Sequence, residues 1–190
     1  MRRVIALAIV AGFLLAGPAQ AQDKEKPKSY RFTAFAINMN SGPRAGAVDI
    51  VLERLTTDEE REGLIAAFVE GGQDSLLKAL QKVKPRVGYI RTPNSLGYDF
   101  QYAYRFINSD GTSRIVIGTD RPINFWEASR QPRTIDYPFT IIEMRLDAKG
   151  EGEGRMAAGT KISKSKDGKT IELENYGISP VALNQIKLQK

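Results

Sequence analysis

The sequence of 190 residues contains no histidine and no cysteine. Without histidine there is no imidazole to act as a general base, to complete a Ser-His-Asp triad or to bind a metal ion. Without cysteine there is no disulfide, no thiol nucleophile and no thiolate zinc site. A phosphate-binding Gly-x-x-x-x-Gly-Lys loop and an EF-hand calcium loop are also missing from the sequence. We therefore expect neither a metal nor a cofactor, and any catalysis would depend on carboxylates, a Ser-Lys pair or tyrosines.

The excess of positive charge is small. The chain has 28 Lys and Arg against 22 Asp and Glu, which gives a formal net charge of +6. An excess of this size permits weak attraction to anionic polymers or lipid head groups and does not require nucleic acid. The aromatic and basic residues form neither an RNA-binding sheet signature nor a helix-turn-helix pattern. We expect no nucleic-acid partner.

The first 21 residues have the three parts of a secretory signal peptide. Residues 2–3 are a basic start, residues 4–16 an apolar run, and residues 19–21 a small-x-small cleavage site. The apolar run is shorter than the roughly 20 residues that a membrane span needs, although an uncleaved N-terminal anchor is the alternative. We predict a signal peptide over residues 1–21, a flexible N-terminus over 22–29, and a periplasmic or secreted protein without a stable membrane anchor.

Most of the remaining chain alternates between apolar and polar residues with a period of two, which indicates half-buried β-strands. Residues 142–147, for example, alternate apolar with charged side chains. The Asp-Gly turn at 167–168 predicts a hairpin in which Ile162 pairs with Leu173. No β-α-β alternation and no internal repeat is present. Residues 30–190 therefore predict a single β-rich α+β domain, an antiparallel meander of about eight strands that closes into a barrel or a sandwich.

Residues 57–84 interrupt this alternation and predict a helical insertion. Thr57 and Glu60 have the spacing of a capping box, which satisfies the first free amides of a helix. Apolar residues at helical spacing follow, and Gly71-Gly72 is expected to end the first helix before a second one begins. We predict a two-helix hairpin that packs over the sheet, and a lid or partner-docking element is the alternative.

The segment from Gly97 to Asp120 has the most regular pattern in the chain. Every even position from 98 to 106 is aromatic, which would place five rings on one face of a strand. The turn residues 108–111 and the apolar run 115–117 complete a predicted hairpin. The rings are interpreted either as ordinary core packing or as the lining of a ligand site, in which tyrosine hydroxyls would supply polar contacts.

Residues 118–137 form the longest segment without a clear pattern. Loops longer than about 12–15 residues are uncommon in compact domains and are often functional. This one contains the only tryptophan, Trp126, together with Arg121 and Arg130. Arginine can bind a carboxylate or phosphate, and tryptophan can stack on a ligand. The alternative is that Trp126 anchors the loop in the core while the arginines lie in solvent.

These features favour an exported, non-enzymatic binding or accessory protein of the bacterial envelope, whose partner is a small apolar or mixed ligand or an envelope protein. One alternative is a carboxylate-based hydrolase acting on envelope polysaccharide, with acids such as Asp99, Asp120 or Glu143. A second alternative is a structural module, which a solid core without a pocket would favour. The candidate ligand-binding residues are Tyr98, Tyr102, Tyr104, Arg121, Trp126 and Arg130.

Overall fold

A computed structural model of the chain describes residues 29–39, 44–123, 136–164, 171–175 and 180–189. These residues form ten strands and one helix. The elements are β1 (Tyr30–Asn38), β2 (Arg44–Leu52), α1 (Asp58–Gln81), β3 (Gly88–Arg91), β4 (Tyr98–Phe100), β5 (Tyr102–Ile107), β6 (Ser113–Gly118), β7 (Phe139–Leu146), β8 (Glu151–Lys164), β9 (Ile171–Asn175) and β10 (Val181–Gln189).

All ten strands belong to one antiparallel sheet, in the order β4-β3-β2-β1-β10-β8-β7-β6-β5, with β9 paired to β8 off this path. β4 and β5 lie at the two ends of the order, yet only Gln101 separates them in the chain. The sheet therefore curves until it is nearly closed, and the predicted β-rich, barrel-like architecture is confirmed. With β4 and β5 counted as one bent strand, the sheet has nine strands.

The segment after β2 helps to close the sheet where β3 is short. The backbone amides of Glu53 and Arg54 both donate to the Val87 carbonyl, at 2.8 and 3.2 Å. The amide of Thr56 donates to the Ala103 carbonyl at 2.8 Å, and its hydroxyl accepts from the Ala103 amide at 2.9 Å. Because Thr56 is buried, water competes little for these bonds, and they tie this segment to β5.

The barrel interior is filled by apolar side chains. Most of them come from β1–β8 and β10, and the largest of them have almost no accessible surface. The two ends of the barrel can be named from the strands: the lower end carries the first residue of β1 and the last of β5, and the upper end carries the last residue of β1 and the first of β4. The interior cluster consists of Phe32, Ala34, Ala36, Val48, Ile50, Leu52, Val87, Ile90, Phe100, Ala103, Ile115, Ile117, Ile123, Ile142, Met144, Leu146, Met156, Val181, Leu183 and Ile186.

The helical insertion differs from the prediction. The expected two-helix hairpin is wrong, because the described residues contain a single helix, α1, which continues through Gly71-Gly72. Only Gly72 has a non-helical backbone, with φ 65° and ψ −154°, a conformation that glycine adopts without the steric cost of a Cβ. Glycine therefore kinks the helix within one residue and does not introduce a loop. The predicted capping box of Thr57 and Glu60 is confirmed.

α1 packs on the outside of the barrel. Leu64 and Leu80 of the helix form a second buried cluster with Phe139 of β7. In a straight helix these two leucines would be about 24 Å apart, at 1.5 Å per residue. The kink at Gly72 is therefore what lets residues from both halves of α1 join one cluster.

Several predicted pairings are confirmed. β8 and β9 form the expected hairpin, with Ile162 opposite Leu173. β5 and β6 pair in register from Tyr102 opposite Gly118 to Ile107 opposite Ser113. Alternation and turn chemistry are local properties, so they specify neighbouring antiparallel pairs well.

Some predictions concern residues outside the described ranges. The proposed signal peptide at 1–21 and all but the last residue of the segment 22–29 lie there, as do Trp126 and Arg130. Among the described residues, α1 is the sole helix, and it lacks the long apolar stretch that crossing a membrane would require.

Candidate functional site

The five aromatic rings of residues 98–106 do not share one face, so that prediction is wrong. Phe100 and Ala103 are both fully buried in the barrel interior, although residues three apart in a regular strand face opposite sides. The alternation is therefore shifted by one residue around Gln101. Tyr98 packs against the interior cluster with Phe100, whereas Tyr102 joins the outer cluster beneath α1.

Gln101 holds this shift in place. Its backbone amide donates to the Gly118 carbonyl at 3.1 Å, and its side-chain oxygen accepts from the backbone amide of Asp120 at 3.0 Å. Only 9% of the residue is exposed. A buried side-chain amide with a satisfied oxygen fixes the geometry of the bend, because losing that partner would leave a polar atom unpaired.

Tyr102 and Tyr104 connect the outward face of β5 to the start of α1. The Tyr104 hydroxyl donates to Asp58 Oδ1 at 2.8 Å, and the guanidinium of Arg61 lies 5.1 Å from the Tyr104 ring centroid. The hydrogen bond to Asp58 raises the pKa of Tyr104, and burial raises the pKa of Tyr102. Both tyrosines therefore stay protonated at neutral pH. Their contacts attach the start of α1 to the sheet.

The outward faces of β5–β8 form a surface that we call the outer wall. Phe106, the last ring of the series, lies beside an open depression in this surface. Its ring centroid is 4.9 Å from that of Tyr104, and the guanidinium of Arg114 lies 4.7 Å from it on the neighbouring strand. The depression has a volume of about 1000 Å³. It is lined by Phe106, Asn108, Thr112, Ser113, Arg114, Glu143, Arg145, Leu146, Asp147, Glu151, Gly152, Glu153, Gly154 and Arg155.

Charges of both signs are interleaved in the depression. Arg145 Nε lies 3.1 Å and Arg114 Nη1 3.9 Å from the same oxygen of Glu143, and Arg155 is the cross-strand neighbour of Glu143. Three arginines thus surround one carboxylate. Glu153 is the cross-strand neighbour of Arg145, and the acidic residues 147 and 151 follow toward the lower end of β7 and β8.

Asp147 has a structural role. Its carboxylate accepts from the backbone amides of Lys149 at 2.8 Å and Glu151 at 2.9 Å. These hydrogen bonds lower the pKa of Asp147, and the bond from the Glu151 amide has the largest effect. It therefore stays ionised and stabilises the turn between β7 and β8.

The upper end of the barrel holds Tyr98 and Arg121. Arg121 is exposed and its Nε donates to Asp120 at 3.1 Å, which raises the pKa of Arg121. A network of buried threonine hydroxyls fixes the backbone here: the Thr140 hydroxyl bonds the Arg121 and Ala158 carbonyls and accepts from the Ile123 amide. The residues leading into the segment 124–135 are thus firmly anchored.

The predicted site residues fall into two separate groups. Tyr98 and Arg121 lie at the upper end, whereas Tyr102 and Tyr104 lie on the outer wall near α1, and the remaining two predicted residues, Trp126 and Arg130, lie outside the described ranges. The arginines at 114, 145 and 155, which line the depression, were missed. The outward positions of β6–β8 carried the signal, but solvent-exposed charge is typical of any half-buried strand.

The described residues contain no group of three or more acidic side chains arranged to hold a metal ion. The chain matches no known protein family, no curated protein and no solved structure. Its chemistry is therefore interpreted from its own geometry.

Proposed function

We propose that the protein is an exported, non-enzymatic binding or accessory protein of the bacterial envelope that receives its partner on the outer wall of the barrel. The partner is a small ligand of mixed polarity or an envelope protein. The observation that carries the proposal is the depression beside Phe106, which combines an aromatic ring with exposed side chains of both charges.

The filled interior supports an external site. A barrel of about eight strands can enclose a small ligand only if its inward side chains leave space. Here Phe32, Phe100, Ile115 and Met144 are among the side chains that occupy that space with almost no accessible surface. A ligand in the interior would have to displace this core.

The charge pattern of the depression supports a partner that is itself polar. Arg145 is 76% exposed at its side chain and Arg114 51%, so neither is committed to the fold. Exposed ion pairs contribute little to stability. Complementary charges instead fix the orientation and specificity of a partner. Export is supported by the sequence of residues 1–21 alone.

Native mass spectrometry of protein isolated gently from the periplasm tests the proposal. We expect a bound small molecule or protein partner on the wild type, lost when Arg145 and Arg155 are both replaced by glutamate. Arg31→Glu is the matched control, because Arg31 is an exposed arginine on β1, away from the depression. A bare wild-type protein, or a partner retained equally by all three proteins, would contradict the proposal.

A carboxylate-based hydrolase acting on envelope polysaccharide is the second candidate, because acidic side chains including Glu143 and Glu153 line the same depression. The lowered pKa of Asp147 weighs against it, since a general acid needs a raised pKa. Incubation with purified peptidoglycan distinguishes the two: released sugar that disappears in Glu153→Gln would favour the hydrolase.

A further inference from the structure

The lower end of the barrel contains a half-buried arginine, Arg105, that has no acidic partner among the described residues. Arg105 lies on β5 two residues after the buried Ala103, so its side chain starts from the inward face. Its guanidinium carbon is 5.5 Å from the ring centroid of Tyr30. In the described part of the chain, its one hydrogen bond runs from Nη2 to the Ser113 hydroxyl at 3.3 Å.

The other N–H groups of Arg105 have no hydrogen-bond partner in the part of the chain that the structure describes. Its Nε is buried and has no hydrogen-bond partner. Among the described residues, no carboxylate oxygen lies within 4.0 Å of its nitrogens. A guanidinium carries five N–H donors in a planar fork that matches the oxygens of a carboxylate or phosphate.

Arg54, on the segment that follows β2, shows how this chain satisfies a comparable arginine. Arg54 Nη1 lies 2.7 Å from Glu60 Oε2, and Nη2 donates to the Pro85 carbonyl at 3.0 Å. Its Nε is also buried without a partner, but its charge is neutralised. Arg105 is also half-buried, but no described residue neutralises its charge.

An arginine held in this way is costly to the folded protein. Burying a charge is unfavourable unless the charge is paired and hydrogen-bonded, and an aromatic ring compensates only in part. The Ser113 hydroxyl adds a dipole and no charge. An oxyanion bound to the guanidinium would remove the deficit, because it supplies both the negative charge and the missing acceptors.

We propose that Arg105 and Ser113 form a binding site for a small oxyanion, a carboxylate or a phosphate group, at the lower end of the barrel. Arg105 is half-buried and not fully enclosed, so part of its side chain is open to solvent. The Ser113 hydroxyl and Arg105 Nη2 would then both bond the anion. This site does not depend on which partner the outer wall receives.

Nuclear magnetic resonance of the arginine Nε–H groups tests the proposal on the wild-type protein. Sodium phosphate and sodium acetate are titrated separately at pH 7, with sodium chloride adjusted to keep the ionic strength constant. We expect a saturable shift of the Arg105 signal, which is identified by its loss in Arg105→Lys. A response to phosphate or to acetate alone would identify the class of oxyanion. A shift that is absent, or no larger than that of Arg44, an exposed arginine at the upper end of the barrel, would overturn the proposal.

Thermal unfolding gives a second, independent readout. At an anion concentration about ten times its dissociation constant, the preferred anion should raise the Tm of the wild type by about 3–5 °C. Arg105→Met should lose this increase, whereas Arg44→Met, which removes an equal charge at the upper end of the barrel, should keep it. An equal increase in all three proteins would mean a general salt effect and overturn the site. If Arg105→Met does not fold, the wild-type titration decides alone.

Discussion

The barrel interior and the outer wall of β5–β8 are built by the same strands, yet they differ in almost every property. The interior is apolar, and its side chains have close to no accessible surface. The outer wall carries Phe106, three arginines and four acidic residues around an open depression. The bent strand β4–β5 contributes to both, with Phe100 inside and Phe106 outside.

This difference indicates how stability and recognition are divided in the molecule. Burial of apolar surface dominates the free energy of folding, so the interior is where substitutions are costly. Exposed ion pairs contribute little to stability, so the outer wall can change its charges without loss of the fold. The following substitutions test that division, from the largest expected effect to the smallest.

The two phenylalanines of the bent strand should differ most. Phe100→Ala should lower the free energy of unfolding by about 3–5 kcal/mol, because it leaves a cavity in the filled interior. Phe106→Ala should lower it by less than about 1 kcal/mol, since the ring is only partly buried. Urea unfolding of both variants measures the difference. Equal losses would break the distinction between interior and outer wall.

Adjacent residues of α1 test whether the helix extends the buried region over the outside of the barrel. Leu64 is 8% exposed and joins the cluster with Phe139, whereas Ile65 is 44% exposed. Leu64→Ala should cost about 2–4 kcal/mol, and Ile65→Ala less than about 1 kcal/mol, in the same urea measurement. A small and equal effect would mean that α1 is only loosely attached and available for a partner.

Two ion pairs sharpen the comparison, because not every charge outside the interior is dispensable. The Arg54 side chain is 15% exposed and its pair with Glu60 also anchors the capping box of α1. Arg54→Met should therefore cost about 1–2 kcal/mol. Arg145→Met, at a side chain 76% exposed, should cost less than about 0.5 kcal/mol. A larger loss for Arg145→Met would give the outer wall a structural role.

The pH dependence of the Arg54–Glu60 pair is the smallest effect. The hydrogen bond from Arg54 lowers the pKa of Glu60 below its ordinary value of 4.5. The unfolded state therefore binds the proton more tightly, and the stability from this pair is present above about pH 4.5 and lost as the pH falls through the lower folded-state pKa. The Tm difference between wild type and Glu60→Gln should narrow from pH 7 to pH 3.

An Arg54→Met background is the control for this titration. Without the guanidinium, most of the cause of the lowered pKa is gone, so Glu60→Gln should show little pH dependence there. If the Tm difference caused by Glu60→Gln narrows equally from pH 7 to pH 3 in that background, a group other than Arg54 causes the pH dependence.

Sequence reasoning recovered the pairings but not the faces of the bent strand. The alternation of β7 and the Asp-Gly turn before β9 predicted their pairing correctly, because both signals lie within a few residues. The aromatic series failed at Gln101, where the alternation shifts by one residue. The shift lets β4 pair with β3 while β5 pairs with β6. No residue close to Gln101 in the sequence indicates it.

The candidate site was predicted only in part. Tyr104 was predicted to bind a ligand, but its contacts with Asp58 and Arg61 could not be predicted, because these residues come from the start of α1, more than forty residues earlier. The unpaired state of Arg105 was not visible either, because it depends on which acidic residues the folded chain brings within reach.

The sequence by itself determined the strand periodicity, the turns, the helix start at Thr57 and the absence of imidazole and thiol chemistry, since each depends on residue type and short spacing. The tertiary structure alone decided that the sheet closes through the bend at Gln101, that α1 lies outside, and that Arg54 is neutralised while Arg105 is not. The physical reason is that closure and charge pairing join residues far apart in the chain. Their free energy depends on the whole packed arrangement and not on any local segment.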